Sequence, residues 1–254
     1  MTNNSTKSRA TYHEKLASMG IPCTRDEIFG SAYASALYIS LLPSAGTTFV
    51  IGSTGLETEL ASLSLPFIGG TSAAYNRAIT AADYPAIASG AALDPAVDTV
   101  LVGLDQSLGY LKYAHAFAYL QRGARFLATN GDSTLPSAGA LFPGAGSCCA
   151  PLVKMSGREP EIMGKPSGRM LEVVLAMLQR DGYRGGRSRL CMIGDRLDTD
   201  IRFGIDGGLG GTLAVLTGVS RREEWEREGA EVVPGYYVDA LADLNGLSSA
   251  PVSS

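Results

Sequence analysis

The chain alternates between short, continuously apolar runs and longer segments whose apolar residues recur at helical spacing. The apolar runs predict strands at TTFVIG, LPFIG, VDTVLVGLD, RFLATN, RLCMIGD and TLAVLTG. The segments between them predict helices, among them Thr11 to Met19, Glu27 to Leu42 and a charged helix from Arg221 onward. Unbroken apolar strands separated by helices are typical of a parallel sheet covered on both faces. The pattern therefore predicts an α/β fold.

Two stretches show neither period. Residues 71–95 are rich in Ala and Pro, and the pattern predicts an irregular insertion there. Residues 131–146 are rich in turn-forming residues and predict a connection between the strand RFLATN and a helix around Ser147 to Met155.

Composition narrows the classes of function. Hydrophobic residues make up 45% and charged residues 18% of the 254 residues, which is typical of a globular protein. The net charge of −4 gives no support for a nucleic-acid partner. Four cysteines without a Cys-x-x-Cys pair and only two histidines argue against a zinc site. No secretory signal and no apolar run of membrane-spanning length is visible, so a cytoplasmic location is expected.

Three polar segments stand where strands end, which is where open parallel sheets bind ligands. The last of them, GDRLDTD, places Asp195 directly after the strand Leu190 to Ile193, which the pattern predicts to be fully buried. Asp198 and Asp200 follow, and such a group of carboxylates favours a hard cation such as Mg²⁺. The alternative is that Asp198 caps the next helix and Asp200 interacts with its dipole.

Lys165, in the segment GKPS, is either a surface lysine with an extended stem or the cation that binds a phosphoryl group beside the metal. The first segment, TNNS, offers a hydroxyl and two amides that can bind phosphate oxygens without adding charge. Its alternative interpretation is a frayed terminal tail.

TNNS, GKPS and GDRLDTDI, in this order around a long α/β insert, resemble the motifs of the haloacid dehalogenase superfamily of phosphatases. The segments IFGSAYASALYIS, LVGLDQSLGYLKYAHAFAYL, VLTGVSRREE and PGYYVDALADL are similar to the eukaryotic phosphoglycolate and 4-nitrophenyl phosphatase family, a relative of pyridoxal phosphate phosphatase. The similarity covers nearly the whole chain.

The resemblance implies a Rossmann-like parallel-sheet core with an inserted C2-type α/β cap. The core would comprise residues 1–44 and 158–254, and the cap residues 45–157. It implies an Mg²⁺-dependent phosphomonoesterase that acts on a small phosphorylated substrate. A homodimer through the cap is compatible with the family, although no interface signature is readable in the sequence.

The resemblance also assigns roles to individual residues. Thr2, Asn3 and Asn4 would bind the phosphoryl oxygens, Lys165 would neutralise the phosphate, Asp195 would bind Mg²⁺, and Asp200 would lie near the metal or its waters. In the cap, Asp132 to Pro136 would reach over the substrate. Leu135 stands where members acting on pyridoxal phosphate carry His, which favours a small acid phosphate such as phosphoglycolate, with 4-nitrophenyl phosphate as an artificial substrate.

The chain departs from the family pattern at its first residues. The family attacks phosphorus with the first Asp of an Asp-x-Asp pair, forming an aspartyl phosphate, and that pair precedes TNNS. Asp105 and Asp132 follow strands but belong to the implied cap, so no catalytic replacement is identified. We therefore expect a truncated chain that lacks the first core strand, is poorly soluble and has no turnover. The alternative is a non-catalytic phosphate- and metal-binding or regulatory protein; a receiver-type domain is shorter and has no cap.

Overall fold

The computed structural model describes residues 1–43 and 46–246. Its internal contacts divide the chain into two compact units, Met1–Gly164 and Lys165–Ser254. The implied division groups residues 1–44 with residues 158–254 instead. That grouping concerns how the two units relate and stays a prediction, and its boundary between residues 44 and 45 lies outside the described residues.

The first unit contains six helices and seven strands within its described part. The helices are α1 (Arg9–Ser18), α2 (Ser31–Ser40), α3 (Thr54–Ser62), α4 (Asp83–Ser89), α5 (Tyr110–Gln121) and α6 (Ala145–Ser156). The strands are β1 (Thr47–Ile51), β2 (Phe67–Gly69), β3 (Val97–Val102), β4 (Arg125–Ala128), β5 (Thr134–Ser137), β6 (Ala140–Pro143) and β7 (Glu161–Ile162).

Five of these strands form a parallel sheet in the order β2-β1-β3-β4-β7. Alternate residues face opposite sides, as pleating requires. The row Val50–Leu101–Leu127 packs in one core cluster with apolar residues of α2 and α3. The row Phe49–Val100–Phe126 packs in a second cluster with residues of α5 and α6. Both faces are therefore covered, as the apolar runs predict.

The strands β5 and β6 form a separate antiparallel hairpin. Its turn residues Ala138 and Gly139 both have positive φ, 50° and 78°, which is the geometry of a tight two-residue hairpin turn. Only a turn-rich connection was predicted here. Pro136 and Pro143 argue against strands in the sequence, because proline lacks the N–H that a central strand needs. They are tolerated here because each strand of a two-stranded hairpin has an unpaired outer edge.

The second unit contains a three-stranded parallel sheet in the order β10-β9-β8. Its strands are β8 (Cys191–Gly194), β9 (Gly211–Val215) and β10 (Tyr236–Val238). Its helices are α7 (Gly168–Arg180), α8 (Arg202–Asp206) and α9 (Glu223–Glu226), and a π-helical turn at Leu197–Ile201 joins β8 to α8.

Several predicted elements need correction. The predicted helix at Glu27 begins only at Ser31, and the charged helix after Arg221 is a single turn. The supposedly irregular residues 71–95 contain the short helix α4. The predicted complete burial of Leu190 to Ile193 is wrong, because Ile193 is 42% exposed. Within the described residues β8 is an edge strand, paired only with β9, so this strand has a neighbour on one side alone.

Candidate functional site

The segment Thr2–Asn4 is anchored to the chain just before α2. Thr2 donates its backbone N–H to the Phe29 carbonyl and accepts from the Ser31 N–H, both at 2.9 Å, in a parallel bridge to Gly30. Ser5 is 2% exposed, and its hydroxyl lies 3.3 Å from that of Thr129. The interpretation of these residues as a frayed tail is therefore wrong, since the Thr2 backbone is paired and the Ser5 side chain is buried.

The Asn3 peptide is held from two directions. Its carbonyl accepts one hydrogen bond from the Ser31 hydroxyl at 2.6 Å and one from the Asn130 side-chain amide at 2.7 Å. The Asn3 side-chain amide lies 3.4 Å from both carboxylate oxygens of Asp132. Asn4 is exposed, and its side-chain oxygen accepts from the Thr6 N–H at 2.8 Å. The two asparagines therefore differ: one is braced by neighbouring elements, while the other shapes the local turn.

Leu135 lines a cavity of about 390 Å³ in the first unit. It pairs with Phe142 across the β5–β6 hairpin, and both side chains border the cavity. Asp105, on the loop after β3, borders it too, but its carboxylate lies 2.5 Å from the ammonium of the fully buried Lys112. The lining is therefore mainly apolar, and its one carboxylate is already neutralised.

Lys165 is the first residue of the second unit and is buried against Asp200. Its side chain is 9% exposed, its ammonium donates to Asp200 Oδ1, and it precedes Pro166 through a cis peptide bond. Asp200 Oδ2 accepts the backbone N–H groups of Asp195 at 3.1 Å and Arg196 at 3.2 Å. One buried carboxylate therefore binds the lysine and the turn at the end of β8 together. The interpretation of Lys165 as an extended surface lysine is wrong.

Asp195 stands at the carboxyl end of β8 and is tied to the loop after β9. Its Oδ2 accepts the Val219 N–H at 2.9 Å, and its carbonyl accepts the Ser220 N–H at 2.9 Å. A Cβ at Gly218 would overlap the Asp195 side chain, so only glycine leaves room for the carboxylate in this position. The position of the Asp195 carboxylate thus depends on Gly218, which sequence reasoning missed although it is the glycine that ends the predicted strand TLAVLTG.

The predicted metal ligands are not equivalent. Among the described residues no group of three or more His, Cys, Asp or Glu side chains could hold a metal ion. Asp195 has one oxygen, Oδ1, to which no donor within the described chain bonds, whereas both oxygens of Asp200 are engaged. A single protein carboxylate fits Mg²⁺, which keeps several waters and takes one or two carboxylates. Asp195 is therefore suited to bind Mg²⁺ directly, and Asp200 is suited to hold Lys165 and the Asp195 turn in position.

Asp198 does not cap a helix. The residue at the cap position is Arg196, and Asp198 lies inside the first π-helical turn, where its side chain is 69% exposed and 3.4 Å from the Arg196 guanidinium. Asp198 and Asp200 have Asp-x-Asp spacing, but one is in solvent and the other is bonded to Lys165. This pair therefore does not supply the attacking carboxylate.

The predicted site residues fall into two groups. Thr2, Asn3, Asn4 and Leu135 belong to the first unit, and Asn3 contacts Asp132 at the base of the hairpin that carries Leu135. Lys165, Asp195 and Asp200 belong to the second unit and are joined there by hydrogen bonds. The predicted meeting of both groups around one phosphate spans the two units and stays a prediction.

Comparison with known proteins identifies the family. A haloacid dehalogenase-like hydrolase model matches residues 1–65, and a HAD-hydrolase-like model matches residues 162–244. A 4-nitrophenylphosphatase of Schizosaccharomyces pombe is 44% identical over 96% of this chain and 80% of its own length. Phosphoglycolate phosphatase 2 of Arabidopsis thaliana is 36% identical over 99% of this chain and 82% of its own.

A solved structure agrees with this similarity. The p-nitrophenyl phosphatase of Archaeoglobus fulgidus superposes with a TM-score of 0.77 at 29% identity, over 95% of this chain and 82% of its own. The α/β class is confirmed, and the neighbour's fold is consistent with a Rossmann-like core plus cap. No helix in the described part of the chain is long and apolar enough to cross a membrane. The chain belongs to the haloacid dehalogenase-like hydrolases, in the family of phosphatases that includes 4-nitrophenylphosphatase and phosphoglycolate phosphatase.

Proposed function

We propose that this chain forms the phosphate- and metal-binding part of an Mg²⁺-dependent phosphomonoesterase. The observation that carries the proposal is the buried Asp200 carboxylate, which holds the Lys165 ammonium and the Asp195 turn at one strand end. A cation and a metal-binding carboxylate placed side by side are what a phosphoryl group requires, since its charge must be neutralised as it transfers.

Each residue has a role in this proposal. Asp195 offers its Oδ1 to Mg²⁺, which as a Lewis acid would polarise a phosphoryl oxygen. Lys165 binds a second phosphoryl oxygen, and Asp200 keeps its ammonium in place. The Thr2–Asn4 segment donates neutral hydrogen bonds to the remaining oxygens, as the resemblance implies. The similarity to named phosphatases supports this assignment.

The organic part of the substrate is assigned to the cavity beside Leu135. Its other apolar members include Phe142 and Pro143, and the carboxylate of Asp105 is paired with Lys112. This lining favours an aryl or alkyl group such as that of 4-nitrophenyl phosphate, because the described residues that line the cavity include no cation to bind the carboxylate of a substrate such as phosphoglycolate. Phosphoglycolate, favoured by Leu135 in the sequence, is the competing candidate.

The attacking group is the part of the mechanism that these residues do not provide. The family would form an aspartyl phosphate on an Asp-x-Asp pair at a strand end. Asp198 and Asp200 have this spacing, but they do not match the pair, because the Asp198 side chain is 69% exposed and Asp200 is bonded to Lys165. We expect this polypeptide to bind phosphate without turning over a monoester. A binding or regulatory protein remains the alternative, and homodimerisation through residues 45–157 and a cytoplasmic location remain proposals.

The test combines binding and turnover on the 254-residue polypeptide. Calorimetric titration with inorganic phosphate should show binding that requires Mg²⁺ and is lost in Asp195→Asn. The exposed neighbour Asp198→Asn is the matched control and should bind like the wild type. Hydrolysis of 4-nitrophenyl phosphate and phosphoglycolate is measured in the same buffer. Absence of Mg²⁺-dependent phosphate binding would contradict the site, and turnover abolished by Asp195→Asn would contradict the missing nucleophile.

A further inference from the structure

We propose that Asn130 and Asp132 are positioning residues that hold Thr2–Asn4 in its phosphate-binding geometry and couple that segment to the β5–β6 hairpin. The inference rests on the proposed phosphate site. It adds a mechanical link between the residues that would bind the phosphoryl group and those that border the cavity for the organic group.

The first part of the link is the Asn3 carbonyl. The Asn130 amide donates to it at 2.7 Å, and Asn130 is only 4% exposed. The Ser31 hydroxyl donates to the same oxygen at 2.6 Å. A carbonyl with two short hydrogen bonds from different elements has little freedom to rotate, so the peptide between Asn3 and Asn4 is fixed.

The second part is the turn from Asn130 to Asp132. The Asn130 side-chain oxygen accepts the Asp132 N–H at 3.0 Å, so the same side chain that binds Asn3 also shapes this turn. Asp132 brings its carboxylate to 3.4 Å from the Asn3 amide, a longer and weaker contact than the Asn130 bond. The dominant connection therefore passes through Asn130.

The third part is the base of the hairpin. Gly144 donates to the Ser133 carbonyl and Gly146 to the Asp132 carbonyl, both at 2.9 Å. A Cβ at Gly144 would overlap the Asp132 carbonyl and a Cβ at Gly146 would overlap the Gly131 carbonyl, so the two chain segments are in close contact there. A displacement of the hairpin must therefore move Asp132, and with it the turn that binds Asn3.

This connection predicts reciprocal effects. If phosphate binding orders Thr2–Asn4, it must also order the hairpin, because coupling between two sites acts equally in both directions. A group in the cavity beside Leu135 and Phe142 would in turn favour one position of Thr2–Asn4. The segment Thr2–Asn4 and the hairpin would then both be more rigid when an organic group of suitable shape is present.

The test uses hydrogen exchange of backbone amides, read by mass spectrometry, on the 254-residue polypeptide. Asn130→Asp keeps the oxygen that accepts from Asp132 but loses the donor to Asn3. Asn76→Ala is the matched control, because Asn76 also donates to backbone carbonyls, those of Gly70 and Ser72, in a different loop of the first unit. Exchange in residues 2–6 should quicken about fivefold in Asn130→Asp, the factor that one net hydrogen bond provides, and not in Asn76→Ala.

Phosphate binding gives the second readout. In the wild type, inorganic phosphate with Mg²⁺ should slow exchange in residues 134–143, and this measurement needs no variant to fold. Asn130→Asp should weaken phosphate binding about fivefold and remove the protection of the hairpin. Unchanged exchange of residues 2–6 in Asn130→Asp, or a hairpin that phosphate leaves unprotected, would overturn the coupling. If the wild type binds no phosphate, the proposed function fails, and the exchange of residues 2–6 alone decides whether Asn130 holds the segment.

Discussion

Replacing Asp200 by Asn should destabilise the second unit far more than any neighbouring change of equal size. The substitution keeps the shape of the side chain but removes its charge. Lys165 then retains a buried ammonium, its side chain 9% exposed, without the carboxylate that neutralises it. The backbone N–H groups of Asp195 and Arg196 would also face a weaker acceptor.

The magnitude follows from the burial of the pair. Removing one partner of a buried ion pair costs about 3–5 kcal/mol, because the remaining buried charge loses the attraction of that partner. With a urea dependence of about 2 kcal/mol/M, the unfolding midpoint should fall by about 1.5–2.5 M. Asp198→Asn is the matched control: it lies two residues away, its side chain is 69% exposed, and its effect should stay within about 0.5 kcal/mol.

The assay is urea unfolding followed by the fluorescence of Trp225. It is the only tryptophan in the sequence, and it packs with Ile201, the neighbour of Asp200, in the core of the second unit. Adding Lys165→Met to Asp200→Asn should recover much of the lost stability, because neither charge of this pair then remains. The reasoning is refuted if Asp200→Asn unfolds at the same urea concentration as Asp198→Asn.

Three further outcomes are expected. Gly218→Ala should weaken Mg²⁺ binding at least tenfold by calorimetry, because the added Cβ displaces the Asp195 carboxylate. Gly186→Ala is the control for loss of a glycine and should bind Mg²⁺ normally, because its φ is −84° and a Cβ there would make only an ordinary contact, 3.7 Å from Ser188 Oγ. Burial lowers the pKa of His115 below its usual 6.5, so the unfolded state binds a proton more readily than the folded state does. The free energy of unfolding should therefore be greatest above pH 6.5 and should fall as the pH drops from there through the lower folded pKa. Circular dichroism melts should show a smaller loss in His115→Phe. Burial raises the pKa of Cys149 to about 12 and also raises the pKa of Cys148. A thiol reagent at pH 8 should therefore modify the exposed Cys191 quickly and should modify Cys148 and Cys149 only after unfolding. Equal modification rates for the three cysteines would contradict the burial of Cys148 and Cys149.

The sequence predicts β1, β3 and β4 well because each is a continuous apolar run that the fold buries between helices. The core rows through Phe49 and Val50 are direct consequences of that pattern. The β5–β6 hairpin escapes prediction because Pro136 and Pro143 interrupt its pattern, and only Gly139 after Ala138 marks its turn. Local periodicity predicts strands that are buried by apolar residues, and it does not predict an exposed two-stranded hairpin such as β5–β6.

The candidate site is predictable to the level of residue types at strand ends. The positions of Lys165, Asp195 and Asp200 after apolar runs predict that these residues lie near one another. In the structure, hydrogen bonds join Asp200 to Lys165 and to the Asp195 backbone. The different tasks of Asp195 and Asp200 come from the resemblance and not from the local pattern, since they depend on which carboxylate binds Lys165. Likewise, Asn130 and Ser31 bind Asn3 across more than 25 positions of sequence, a contact that no local pattern encodes.

The resemblance predicts that Thr2–Asn4 surrounds the same phosphate that Lys165 and Asp195 bind, and the proposed function rests on this prediction. The most direct measurement replaces Mg²⁺ by paramagnetic Mn²⁺ in protein labelled with ¹⁵N at asparagine, in the presence of inorganic phosphate. If these residues share one phosphate, the signals of Asn3 and Asn4 should broaden strongly while the signal of Asn76 does not, and Asp195→Asn should abolish the broadening. If Asn3 and Asn4 broaden no more than Asn76 while Mn²⁺ is bound, the two groups of residues do not share one phosphate site.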